Sequence, residues 1–151
     1  MKTLLIITIT FLCLLSSCKK ENKTTANCTK NMEAISGTYS LLKLEVQGMN
    51  NTSFDDISGN LQACELDDKL ILNPNGTSVR QFLGKGCMPP LVGSGNWSIS
   101  SDNKMTINDH GSASDILDAD ITSFDCSTLV LTGTEPMASS AKYRLTLKKS
   151  S

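Results

Sequence analysis

Several features are scarce in this 151-residue sequence, and each scarcity removes a class of function. There is no basic excess: 14 Lys and Arg stand against 15 Asp and Glu, for a net charge of −1, and the lysines are scattered. A nucleic-acid binder displaces phosphate counterions with a clustered basic face, so no nucleic acid is expected as a partner. Histidine occurs once, as His110 in the turn sequence Asn108-Asp109-His110-Gly111. A serine hydrolase would need it beside a nucleophile and an acid, and no Gly-x-Ser-x-Gly elbow is present. Gly84-x-Gly86 runs into Cys87-Met88-Pro89-Pro90, whose prolines break any helix, so the phosphate-cradling loop that opens a helix is missing. No two cysteines stand at Cys-x-x-Cys spacing, which removes the usual thiolate metal site. The acidic pairs Asp55-Asp56, Asp67-Asp68 and Asp118/Asp120 have the residue types of acid/base pairs or calcium ligands. Asp118 and Asp120 alternate with Leu117, Ala119 and Ile121, which makes them the solvent face of a strand. No catalytic residue, metal or cofactor is expected, and the chain does not read as an enzyme.

Long apolar runs are also absent. Met1-Lys2 is followed by an apolar stretch from Thr3 to Leu15, shorter than the roughly 20 residues a spanning helix needs. This is the n-region and h-region of a signal peptide. It ends in Leu15-Ser16-Ser17-Cys18, which resembles the lipobox of bacterial lipoproteins, where the cysteine thiol receives a diacylglycerol before cleavage. The resemblance implies that residues 1–17 are removed and that Cys18 becomes the lipidated first residue. Acyl chains contribute about 0.8 kcal/mol per buried CH₂, so several of them give a stable membrane anchor. Lys19 rather than Asp follows the cysteine, and by resemblance to enterobacterial sorting this implies outer-membrane placement in the cell envelope. Residues 18–35, polar and rich in Lys, Asn and Thr, read as a lipidated N-terminus and flexible tether.

What the sequence does contain, from residue 36 to residue 149, is period-two alternation. Leu42, Leu44 and Val46 alternate with polar neighbours, as do Leu70 and Leu72, Trp97 and Ile99, Met105 and Ile107, Leu117 to Ile121, Leu129 and Leu131, and Tyr143 to Leu147. With a further strand at Thr77–Leu83 this makes eight. Turn residues separate them at Asn73-Pro74-Asn75-Gly76, Ser101-Asp102-Asn103-Lys104 and Asn108–Gly111. Eight short antiparallel strands in a meander close on themselves and so remove their edges. The expected fold is all-β, an eight-stranded antiparallel up-and-down barrel, with a two-sheet sandwich as the alternative. The segment Gly48–Ala63 is expected to form a short helical turn or a lid across the barrel mouth.

Export places Cys28, Cys64, Cys87 and Cys126 in an oxidising compartment. A two-residue Asn75-Gly76 hairpin loop pairs positions whose numbers sum to 151, as Cys64 and Cys87 do. A three-residue loop with a bulge shifts the register by one and leaves the same two cysteines close. By elimination Cys28 pairs with Cys126.

The order of landmarks resembles the lipocalin-like domain of small Gram-negative lipoproteins. They are Gly37-Thr38-Tyr39, Cys64 before Asp67-Asp68, Asn75-Gly76-Thr77, Cys87, Gly95-Asn96-Trp97 and a closing strand through Tyr143. Tyr39 stands where lipocalins proper carry Trp, and neither a Thr-Asp-Tyr motif nor a C-terminal helix is found. The resemblance implies binding of a small hydrophobic ligand inside the barrel, and the chain is expected to be a monomer. The expected lining is Leu42, Leu44, Leu70, Leu72, Trp97, Ile99 and Tyr143, with Arg144 capping the barrel end against an aromatic ring. Gly86-Cys87 ahead of a Gly-x-Trp strand is also similar to the META domain of envelope lipoproteins. That second likeness implies a ligand-free structural or interaction module.

Overall fold

A computed structural model of the chain describes residues 28–83, 91–109, 116–134 and 141–150. The expected signal peptide, Cys18, residues 19–27, Cys87 and His110 lie outside the described residues. Nine strands are described: β1 (Gly37–Gln47), β2 (Asp55–Asp56), β3 (Lys69–Leu72), β4 (Thr77–Phe82), β5 (Leu91–Ile99), β6 (Lys104–Asp109), β7 (Ile116–Phe124), β8 (Thr128–Thr134) and β9 (Lys142–Lys149). Every pairing is antiparallel. Strands β3 to β9 pair in sequence order, and β9 pairs back onto β1, which closes an eight-stranded up-and-down barrel. The ninth strand, β2, adds to the edge of β1 through Glu45 and Val46, beyond the stretch where β3 pairs with Gly37–Ser40. The segment from Gly48 to Ala63 thus joins the wall. It continues through a 3-10 turn at Ser58–Asn60 into the short helix α2 (Ala63–Leu66).

The two ends of the barrel are built differently. At the turn end, tight hairpins join β3 to β4, β5 to β6, and β7 to β8. In the first of these, Gly76 N–H donates to Asn73 O (3.0 Å) and Asn73 N–H to Thr77 O (2.9 Å), with Gly76 at φ +86°. Glycine adopts that backbone without steric cost. Leu72 lies opposite Ser78 and Lys69 opposite Gln81, so the hairpin takes the three-residue bulged loop, one step from the two-residue register. Residues 28–36 cover this end. Within them, helix α1 (Met32–Ile35) is capped by the Asn31 side chain, which accepts from Ala34 N–H at 2.8 Å. Ile35 is fully buried, and the segment expected to belong to the tether is, from Cys28 onward, the floor of the barrel. The disulfide Cys28–Cys126 fastens it to the β7–β8 turn, with the two Cα atoms 5.4 Å apart. Lys30 Nζ donates to Ile121 O (2.7 Å), Lys149 Nζ to Ala34 O (2.9 Å) and Tyr39 Oη to Ile35 O (2.5 Å). At the opposite, loop end, β1 is joined to β3 by the long excursion that contains β2 and α2.

Two bulges set which side chains face inward. In β1 the register slips between Leu41 and Lys43, so Tyr39 and Leu41 face inward before the slip, and Leu44 and Val46, opposite Leu145 and Tyr143, face inward after it. Leu42, the extra residue, is turned outward and is 58% exposed. This corrects the expectation that it lines the interior, because a bulge shifts every later side chain to the other face. A second slip in β7, between Ile121 and Ser123, brings Phe124 into the core at 2% exposure.

Candidate functional site

The barrel interior is the site that this topology builds. Its width follows from the register. Hydrogen-bonded neighbours run from Val46 through Tyr143, Gly133, Ala119 and Met105 to Ile99. Continued through the β4 and β3 pairings, that line returns to β1 roughly a dozen residues from where it left, a large stagger for eight strands. A tightly packed eight-stranded enzyme barrel closes with a stagger of about 8. At fixed strand number, a larger stagger means steeper strands and a wider interior.

Side chains fill that interior unevenly. Toward the turn end, Tyr39, Met105, Leu129 and Leu131 are each 0% exposed, and Ile35 closes the bottom. Leu72 and Trp97 belong to this packed half, and half-buried Ile99 packs against it. The Trp97 indole N–H donates to Asn73 O at 2.8 Å, which satisfies its one polar atom. Burial of the Tyr39 phenol pushes its pKa up, so the hydroxyl stays neutral as the donor to Ile35 O. Toward the loop end, Leu44, Val46, Leu70, Leu117 and Leu145 face inward yet are only half-buried. Tyr143 lies among them at 9% exposure, its hydroxyl 3.3 Å from Asp118 O and packed over Gly133, where a Cβ would collide with it. Arg80 projects from the inner face of β4 toward the mouth, its guanidinium carbon 4.7 Å from the centre of the Phe82 ring. Of the seven expected lining residues, six face inward: Leu72, Trp97 and Tyr143 are buried, and Leu44, Leu70 and Ile99 are half-buried.

Sequence reasoning missed the strongest charged constellation. On the outer face of the loop end, Arg144 holds Glu45 through two bonds, Nε to Oε2 at 2.7 Å and Nη2 to Oε1 at 2.6 Å. Lys43 Nζ reaches the same carboxylate at 2.9 Å and Asp56 at 3.5 Å. These bonds, that of Arg144 first, hold the Glu45 carboxyl down at about 2. The Arg144 guanidinium also lies over the Phe54 ring at 4.3 Å. The residue therefore does stack on an aromatic, but at the loop end, where it clamps the β2 excursion against β1. At the turn end the cation beside Tyr39 is Lys149, 6.0 Å from that ring and from Phe124. The clasp carries no nucleophile, and it reads as a fastening of the wall.

Cys64, on α2, is disulfide-bonded. Cys87, the partner expected for it, is among the residues not described. Among the described residues no group of three metal-ligating side chains converges, and no helix is long and apolar enough to cross a membrane.

No protein-family model matches the chain, and no curated protein matches it. Among solved structures it is similar to a redesigned beta barrel, with 13% sequence identity and a TM-score of 0.44 over 83% of this chain and 100% of that one.

Proposed function

We propose that the protein is a lipocalin-like lipoprotein, anchored to the outer membrane through Cys18, that binds a small apolar molecule in the loop-end half of its barrel. The observation that carries this reading is the wide stagger of the barrel combined with a cluster of half-buried inward aliphatic side chains, Leu44, Val46, Leu70, Leu117 and Leu145, toward the loop end. An interior that merely packed would bury Leu44, Leu70, Leu117 and Leu145 as completely as it buries Leu129 and Leu131. Apolar walls with a few polar groups at the mouth are the usual construction of a ligand pocket. Trp97, at the bottom of this space, is the single indole in the chain and a natural reporter. Titration of the protein with fatty acids, porphyrins and small aromatic compounds, followed by Trp97 emission and native mass spectrometry, is expected to give saturable one-to-one binding to at least one class. Absence of saturable binding to all of them overturns the carrier reading.

The exposed apolar residues Met49, Leu66, Leu83 and Val92, all at the loop end, favour a second reading, a ligand-free module that contacts another envelope protein. Repeated recovery of one crosslinked partner from cells, together with failed ligand titrations, would select it.

A further inference from the structure

We infer that the turn end of the barrel is its membrane-facing surface, so that the mouth is held away from the bilayer that carries the anchor. The inference rests on the proposed lipidation of Cys18. It is carried by where the chain enters the fold. The first described residue is Cys28, fixed at the turn end three times over: by its disulfide to Cys126, by its N–H donating to Phe124 O at 3.2 Å, and by the packing of Met32 and Ile35 that follows it. Ten Cα steps separate Cys18 from Cys28. A chain of that length spans at most about 35 Å when fully drawn out, and as a coil it averages about 17 Å. The eleven residues of β1 rise about 35 Å along the strand, or about 26 Å along the barrel axis at a tilt near 40°. To lay the mouth on its own bilayer, the chain between lipid and disulfide would have to run nearly straight along the whole barrel. With the turn end down it needs no extension.

The cations of the two ends also differ in their partners. At the turn end Lys30, Lys148 and Lys149 give their hydrogen bonds to uncharged oxygens, of Ile121, Ser127 and Ala34. These ammonium groups are cations that the turn end offers to anionic headgroups, alongside the carboxylates of Glu33, Asp102 and Asp125. At the loop end, by contrast, Lys43 and Arg144 are neutralised by Glu45 and Asp56. The ligand source implied for the carrier is therefore a surface or solute facing the mouth, and not the leaflet underneath.

The test uses the full lipidated chain in vesicles containing anionic lipid and an energy acceptor on the headgroups. A donor dye is placed at the turn end through Asp102→Cys or at the loop end through Met49→Cys, both exposed positions. Transfer is expected to be at least twofold stronger from position 102, and inserting twenty Gly/Ser residues after Asn27 is expected to erase the difference. Equal transfer, or stronger transfer from position 49, overturns the orientation while leaving the anchor intact. If the wild-type chain fails to stay with the vesicles, or the Cys18→Ser variant stays as firmly, the lipidation reading fails and the orientation falls with it.

Discussion

The two ends of this barrel are made from the same alternating strands, yet among the described residues one is sealed by chain, whereas at the other the inward side chains are only half-buried. At the turn end, Ile35, Tyr39 and Leu129 are completely buried, and a disulfide, a short helix and two lysines fasten the N-terminal segment beneath them. At the loop end the corresponding inward residues, Leu44, Leu70 and Leu117, stay half-buried, and the charged fastening lies on the outside of the wall. Period-two patterning supplies an apolar inner face but says nothing about what covers its ends. Nine residues of covering chain make the difference between a core and a pocket wall.

The largest test of that difference is a pair of truncations. Phe124→Ala removes a ring that is 2% exposed and packed into the floor, and it is expected to cost about 3–5 kcal/mol of unfolding free energy. Leu44→Ala, on the accessible upper wall, gives up less contact and is expected to cost about 1 kcal/mol. Urea denaturation of both variants measures the gap. Equal losses would mean that the loop end is as tightly packed as the floor, which would remove the basis for a pocket.

A smaller effect sharpens the comparison through pH. The carboxyl of Glu45 ordinarily titrates near 4.5 and is held at about 2 in the folded protein by Arg144 and Lys43. Because its folded pKa is depressed, the stabilisation is fully present above about 4.5 and is lost as the pH falls toward about 2. Arg144 and Lys43 are themselves 36% and 40% exposed, so water screens the pair and the contribution is about 1 kcal/mol or less. Asp125, lowered chiefly by the N–H of Ser127, likewise contributes stability at the turn end that is lost as acid protonates it. The informative quantity is therefore the difference between the wild type and Glu45→Gln, which is expected to shrink as the pH drops from 5 to 2. A constant difference would mean that the clasp contributes nothing through charge.

How much of this was legible in the sequence follows from the range of each interaction. Strands were legible because alternation is local, and the Asn75-Gly76 turn because its residues prefer the backbone they adopt. The Cys28–Cys126 bridge spans 98 positions and was still reachable, since so few cysteines leave few pairings. The Glu45–Arg144 clasp was not. Its partners lie 99 positions apart, and nothing in either residue type names the other. The floor was hidden for a different reason. Residues 28–36 are mostly polar; Ile35 enters the core and Cys28, Met32 and Ala34 pack against it, a set too short to show a period.

The bulge in β1 was equally invisible, and the smallest expected effect tests it. Leu42 and Leu44 are the same residue type two positions apart, which on an unbroken strand would place both on one face. The slip between Leu41 and Lys43 separates them, with Leu42 out at 58% exposure and Leu44 in, opposite Leu145. Leu42→Lys is expected to change stability by no more than about 0.5 kcal/mol and ligand affinity not at all, as for other exposed substitutions. Leu44→Lys places an ammonium on the inner wall and is expected to abolish apolar ligand binding while the barrel still folds, because a long side chain there can reach the mouth. If the two variants behave alike, either both silent or both disruptive, the strand is unbroken and the upper wall is lined by a different set of residues.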